Sequence, residues 1–126
     1  MKKRFIDVDI WDDIWFRKLP CEYKTLWQFI CSKADNAGVY KLDIEAASFY
    51  IGAKINTVEA LRLFNDGKVR IAPLDRERWI VTGFIRFQYG TLSKDCNAHQ
   101  GVFAAITRHG LRLRHGSRSD RLAAPT

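Results

Sequence analysis

The chain has 126 residues, a formal net charge of +7, and 47% hydrophobic against 28% charged residues. That length suits one domain around one core, and that composition excludes a disordered or fibrous chain. No apolar run approaches the ~20 residues of a membrane span. The three cysteines form no C-x-x-C pair, and Asp7 and Asp9 interrupt any leader-like apolar stretch, so the expected setting is reducing and cytoplasmic.

Residues 5–19 are dense in apolar side chains, and the Ile10/Ile14 and Trp11/Trp15 pairs predict a short helix from about Ile10 with Asp9 as its cap. Asp12 and Asp13 then fall in its first turn, where the helix dipole favours negative charge. Pro20 opens a second helix, whose Tyr23, Leu26, Trp27, Ile30, Cys31 and Ala34 form one apolar stripe. Residues 35–38 (Asp-Asn-Ala-Gly) are turn chemistry, and residues 39–42 read as a brief strand. Asp43 caps a helix over residues 44–51 that Gly52 stops. Asn56 caps the next one, with Glu59 at capping-box spacing, and Asp66-Gly67 ends it. Val69 and Ile71 alternate with Lys68 and Arg70 as a strand does. Pro73 and the charged residues 75–78 interrupt the alternation, and residues 79–82 resume it. Residues 84–89 alternate like a strand, or form an extended arm packed on the helices; residues 90–97 read as a loop and 98–109 as a helix. Beyond Gly110 apolar periodicity is lost, and a poorly packed tail is expected from Gly116.

Two short helices around a Gly-containing turn, followed by a hairpin, predict an α+β winged helix-turn-helix. It carries an N-terminal helical extension and a post-wing C-terminal helix. The lone strand at residues 39–42 is placed to close a three-stranded sheet with the hairpin. The expected organisation is one domain over residues 1–111 and a basic, disordered tail over 112–126.

Charge is unevenly placed. Residues 1–53 carry eight basic and eight acidic side chains, residues 54–94 eight and four, and residues 95–126 five and two. The excess falls on the proposed helix–hairpin unit and the tail, which favours a polyanionic partner.

Three stretches carry a family likeness: the aromatic, acidic opening FIDVDIWDDIW at residues 5–15; the helix ending in Ala34-Asp35-x-x-Gly38 before Val39-Tyr40; and Trp79 onward to Phe84-x-x-Phe87-Gln88-Tyr89. Together with Arg108-His109-Gly110-Leu111 they resemble the N-terminal winged-helix domains of phage replisome organisers and related DnaD-like replication proteins. The resemblance covers about residues 5–111. It implies a DNA-binding domain of phage or prophage origin, in replication initiation or transcriptional regulation, with helicase-loading proteins as further partners.

Double-stranded DNA is the expected partner. On the second helix of the pair, Asn56, Thr57, Glu59, Ala60 and Arg62 project away from Val58, Leu61 and Phe64, and Lys54 precedes them in the turn. Lys68 and Arg70 follow the helix, and Arg76 and Arg78 sit at the hairpin tip, suited to phosphate or a minor groove. The tail arginines Arg108, Arg112, Arg114, Arg118 and Arg121 add basic charge. A divalent-metal nuclease site on Asp7, Asp9, Asp12 and Asp13 is not expected, because the helix-cap reading already explains Asp9, Asp12 and Asp13. Cys96 and His99 lack the second pair a zinc site needs. No phosphate loop or nucleophile–base arrangement is present, so neither catalysis nor a cofactor is expected. The four Trp and eight Phe fall mostly on apolar stripes, which assigns them to the core rather than to base stacking. The alternative to DNA binding is an interaction module, including a homo-oligomer, that uses the same faces.

Overall fold

A computed structural model describes residues 2–113 together with 122 and 123. The fold is α+β: helices surround a three-stranded antiparallel sheet. The chain begins with an extended arm and a 3-10 turn over Val8–Asp12, then α1 (Ile14–Arg17) and α2 (Cys21–Lys33). Strand β1 (Val39–Lys41) leads to α3 (Ile44–Ile51) and α4 (Thr57–Phe64). The hairpin β2 (Ile71–Pro73) and β3 (Arg78–Val81) follows, then α5 (Phe84–Tyr89). A 3-10 turn over Asn97–His99 enters α6 (Gln100–Arg108). Finally, β4 (Arg112–Leu113) pairs with β5 (Leu122–Ala123). The expectation of a loose tail otherwise lies outside the described residues.

The sheet order is β1-β3-β2, with Tyr40 opposite Trp79 and Ile71 opposite Val81. The lone strand thus closes the sheet, as its position in the sequence implied. Pro73 is tolerated because β2 is an edge strand with no ladder donor to supply on its outer side. The strands alternate faces, and both faces are buried. Tyr40, Ile71, Trp79 and Val81 join a core with α1, α2 and α4, while Val39 and Ile80 join a second core with α5 and α6. Phe64 lies at the centre of the first, fully buried, with its ring edge-on to Trp27 at 5.1 Å and near Trp15 and Tyr23 at 6.4 Å.

Four local expectations need correction. The N-terminal helix is two pieces, capped by Asp7, which accepts from Asp9 N, and by Asp13, which accepts from Trp15 N; Asp9 is not the cap. The fourth helix ends at Phe64, not at Asp66-Gly67, with Asn65 as its C-cap. Val69 is not in a strand but 62% exposed, because the Asn65 side chain accepts from Arg70 N and Ile71 N and delays pairing to Ile71. Residues 84–89 are helical: Phe84 and Ile85 are buried side by side, a pattern that six residues cannot distinguish from alternation by period alone.

The turn before β1 is built around two residues. Asp35 Oδ1 accepts from Ala37 N at 2.9 Å and Val39 N at 3.1 Å. Gly38 has φ +83°, and a Cβ there would lie 2.5 Å from Phe84 Cβ. The turn therefore needs glycine for both its conformation and its clearance.

The N-terminal arm is strapped across α5. Phe5 N donates to Gln88 Oε1 at 2.8 Å, and Gln88 Nε2 donates to Phe5 O at 2.9 Å. Arg4 Nη2 donates to Ala34 O and Asn36 Oδ1, both at 3.0 Å, which ties the arm to the C-terminal end of α2. No helix among the described residues is long and apolar enough to cross a membrane.

Candidate nucleic-acid interface

Helix α4 starts where Asn56 Oδ1 accepts from Glu59 N at 2.9 Å. Asn56 N donates to Tyr23 Oη at 3.2 Å, which fixes the start of α4 on α2. The reciprocal half of the capping box does not form, because the Glu59 carboxylate takes the guanidinium of Arg62 instead. That hydrogen bond lowers the Glu59 pKa and raises that of Arg62. Both groups are solvent-exposed, so the pair is screened and opens at little cost to a competing phosphate.

The rotation of α4 differs from the sequence projection. Ala60 is fully buried and Val58 is 76% exposed, the reverse of the expected faces. Insertion of Phe64 among Trp15, Tyr23 and Trp27 sets the rotation, and Ala60 lies one turn earlier on the same side. Val58 then points outward with Arg62, four residues on. Thr57 is half-buried.

Two arginines assigned to DNA are committed to the fold. Arg70 stacks over Trp15, with Cζ 4.0 Å from the ring centroid. Its Nη1 donates to Phe64 O at 3.2 Å and Asp66 O at 2.5 Å, clamping the C-terminal end of α4. Its desolvation lowers its pKa. Arg78 donates from Nε to Asp75 Oδ2 at 2.8 Å and from Nη1 to His109 Nδ1 at 2.9 Å. A guanidinium has no acceptor, so Nδ1 of His109 accepts and its Nε2–H donates to Asp35 Oδ2 at 2.5 Å. Arg108 reaches the same carboxylate oxygen at 3.3 Å. Burial pushes the Asp35 pKa up, but the His109 and backbone hydrogen bonds outweigh it and the net shift is downward.

Lys54, Lys68 and Arg76 are exposed and have no hydrogen-bond or ion-pair partner among the described residues. With Arg62 they occupy the turn before α4, α4 itself, the loop after it and the hairpin tip. Cys31 is part-buried, and desolvation pushes its thiol up to about 12, which leaves it unreactive. His99 accepts from Ser93 N through Nδ1, and no group of three or more metal-ligating side chains converges among the described residues. Arg112 is exposed, while Arg114, Arg118 and Arg121 lie outside the described residues.

The projection also missed surface aromatics. Phe5, Trp11, Phe49, Tyr50 and Phe87 are 48–79% exposed. For α3 the signal was present: Ile44, Ala46, Ala47, Phe49, Tyr50 and Ile51 occupy more of the helix than one stripe can bury. A groove of about 1090 Å³ runs between the arm, α2 and the segment entering α5, with Phe29, Phe84 and Phe87 in its walls and Lys68 and Arg86 among its cations. No family model matches the chain, and no curated protein or solved structure matches it.

Proposed function

We propose that the chain is a non-enzymatic, duplex DNA-binding winged helix, with α3 and α4 as the helix-turn-helix and β2–β3 as the wing. The observation that carries this reading is the set of exposed cations along one continuous unit: Lys54, Arg62, Lys68 and Arg76. Arg70 and Arg78 give that unit its shape and are removed from the contact set. The groove-facing side of α4 offers Val58 and Arg62 but few base-reading groups, so binding rests mainly on phosphates. Phage or prophage origin, a cytoplasmic role in replication initiation or transcription, and helicase-loading partners rest on the sequence resemblance.

The test is fluorescence anisotropy on a labelled duplex across a salt series. Replacing Lys54, Arg62 and Arg76 together by Ala should weaken binding at least tenfold and make the log–log salt slope shallower by about 2–3. An unchanged slope removes this surface.

A second reading has its own support. Phe5, Ile6, Val8, Trp11 and Ile14 are 59–75% exposed within one short stretch. A concentration of apolar surface like this marks protein interfaces. Concentration-dependent sedimentation of the intact chain, abolished by Trp11→Ser with Ile14→Ser, would favour an interaction module or homo-oligomer.

A further inference from the structure

We propose that Phe49, Tyr50 and Phe29 form a stacking ledge for single-stranded DNA, which borders the proposed duplex-facing surface at Lys54 and Lys68. Helix α3 fully buries only Ala47, while Phe49 is 79% and Tyr50 73% exposed in its last turn. The fold gains little from two rings held in water. The rings are nonetheless ordered against one another. Phe49 meets Tyr50 edge-on at 5.4 Å, and Tyr50 lies nearly parallel to Phe29 of α2, with centroids 6.2 Å apart and planes 28° apart. Phe29 is held from its other side by Tyr40 at 6.2 Å.

Phe29 also lines the large groove, where Thr25, Gln28 and Ser32 continue along the same side of α2. The ledge therefore opens into a track of hydroxyl and amide groups, with Lys68 across it. Lys33 stands one turn beyond Phe29 and is exposed, and Lys54 follows the end of α3.

The chemistry selects the occupant. Paired bases in a duplex hide their faces in the stack, whereas unpaired bases offer them to aromatic rings irrespective of sequence. A second copy of this chain would bring another +7 charge against the same lysines, but a phosphate chain brings the opposite sign. Glu45, exposed one turn before Phe49, opposes a strand at the ledge, and Asp7 and Asp13 oppose one along the groove.

The experiment uses the intact chain with labelled oligo-dT and, in parallel, a labelled duplex. Phe49→Leu and Tyr50→Leu keep apolar bulk and remove the ring. Each should weaken oligo-dT binding by about fivefold or more, with duplex affinity and melting temperature unchanged. Tyr50→Trp should restore or tighten it, and Glu45→Gln should tighten it modestly. The proposal is overturned if the wild type does not bind oligo-dT or if the leucine variants bind as the wild type does. It is equally overturned if oligo-U binds tenfold tighter than oligo-dT, or if the variants change only the sedimentation of the free protein. The duplex reading is decided on duplex by replacing Arg62 and Arg76 alone, with Lys54 and Lys68 left in place, so the two fail separately.

Discussion

Single residues hold the fold at places remote in sequence. Gly38 combines a left-handed backbone with contact against Phe84, so Gly38→Ala meets both a conformational cost and an overlap. We expect a loss on the order of 3 kcal/mol, read as a fall in the urea midpoint; a shift under a few tenths would mean that Phe84 moves aside freely. Asp35 accepts from two backbone amides, His109 and Arg108, which joins the turn before β1 to the end of α6. Its pKa is lower in the folded chain than the ~3.9 of a free aspartate. A depressed pKa means stability that is present above the unfolded value and lost as pH falls through the folded one. Melting temperature should therefore drop along the acid limb below about pH 4. Asp35→Asn should flatten that limb and cost about 2–3 kcal/mol at neutral pH. A variant with the parent's acid limb would place the titration elsewhere.

At the scale of elements, the short helices are defined by their ends more than by their length. Asp43 and Asn56 cap α3 and α4, and Gly52 closes α3 in the left-handed conformation. Helix α5 has no side-chain cap; it is held by two buried residues and by its strap to the arm. Gln88→Ala removes both hydrogen bonds to the Phe5 peptide. Global stability should fall by about 1 kcal/mol. Exchange of the Phe5 amide should approach the rate of a free peptide, and cleavage within residues 3–8 by a protease should accelerate. Unaltered protection at Phe5 would show that Arg4 alone holds the arm. Helix α4 makes the opposite point. Its position was readable, but its rotation was not, because one large ring in an aromatic pocket outweighs the average of the smaller side chains.

For the whole molecule, local chemistry was legible and distant side-chain pairing was not. The turn at residues 35–38 and the caps of α3 and α4 follow from residues within a few positions of one another, and the place of β1 beside the hairpin follows from element order. The fate of the hairpin arginines did not. Arg78 is occupied by His109, 31 residues away, and His109 by Asp35, 74 residues away. A list of basic residues read from sequence therefore overstates the contact surface by those that hold the fold. The exposed pair on α3 was hidden for a related reason: only packing reveals which side of an apolar helix is left over. The strap has a consequence during synthesis. It joins the Phe5 backbone to a side-chain amide 83 residues away, and at ~5–20 residues per second the ribosome delivers Gln88 roughly 4–17 seconds after Phe5. Through that interval the arm lacks its partner on α5, so the first segment made is among the last to be strapped down.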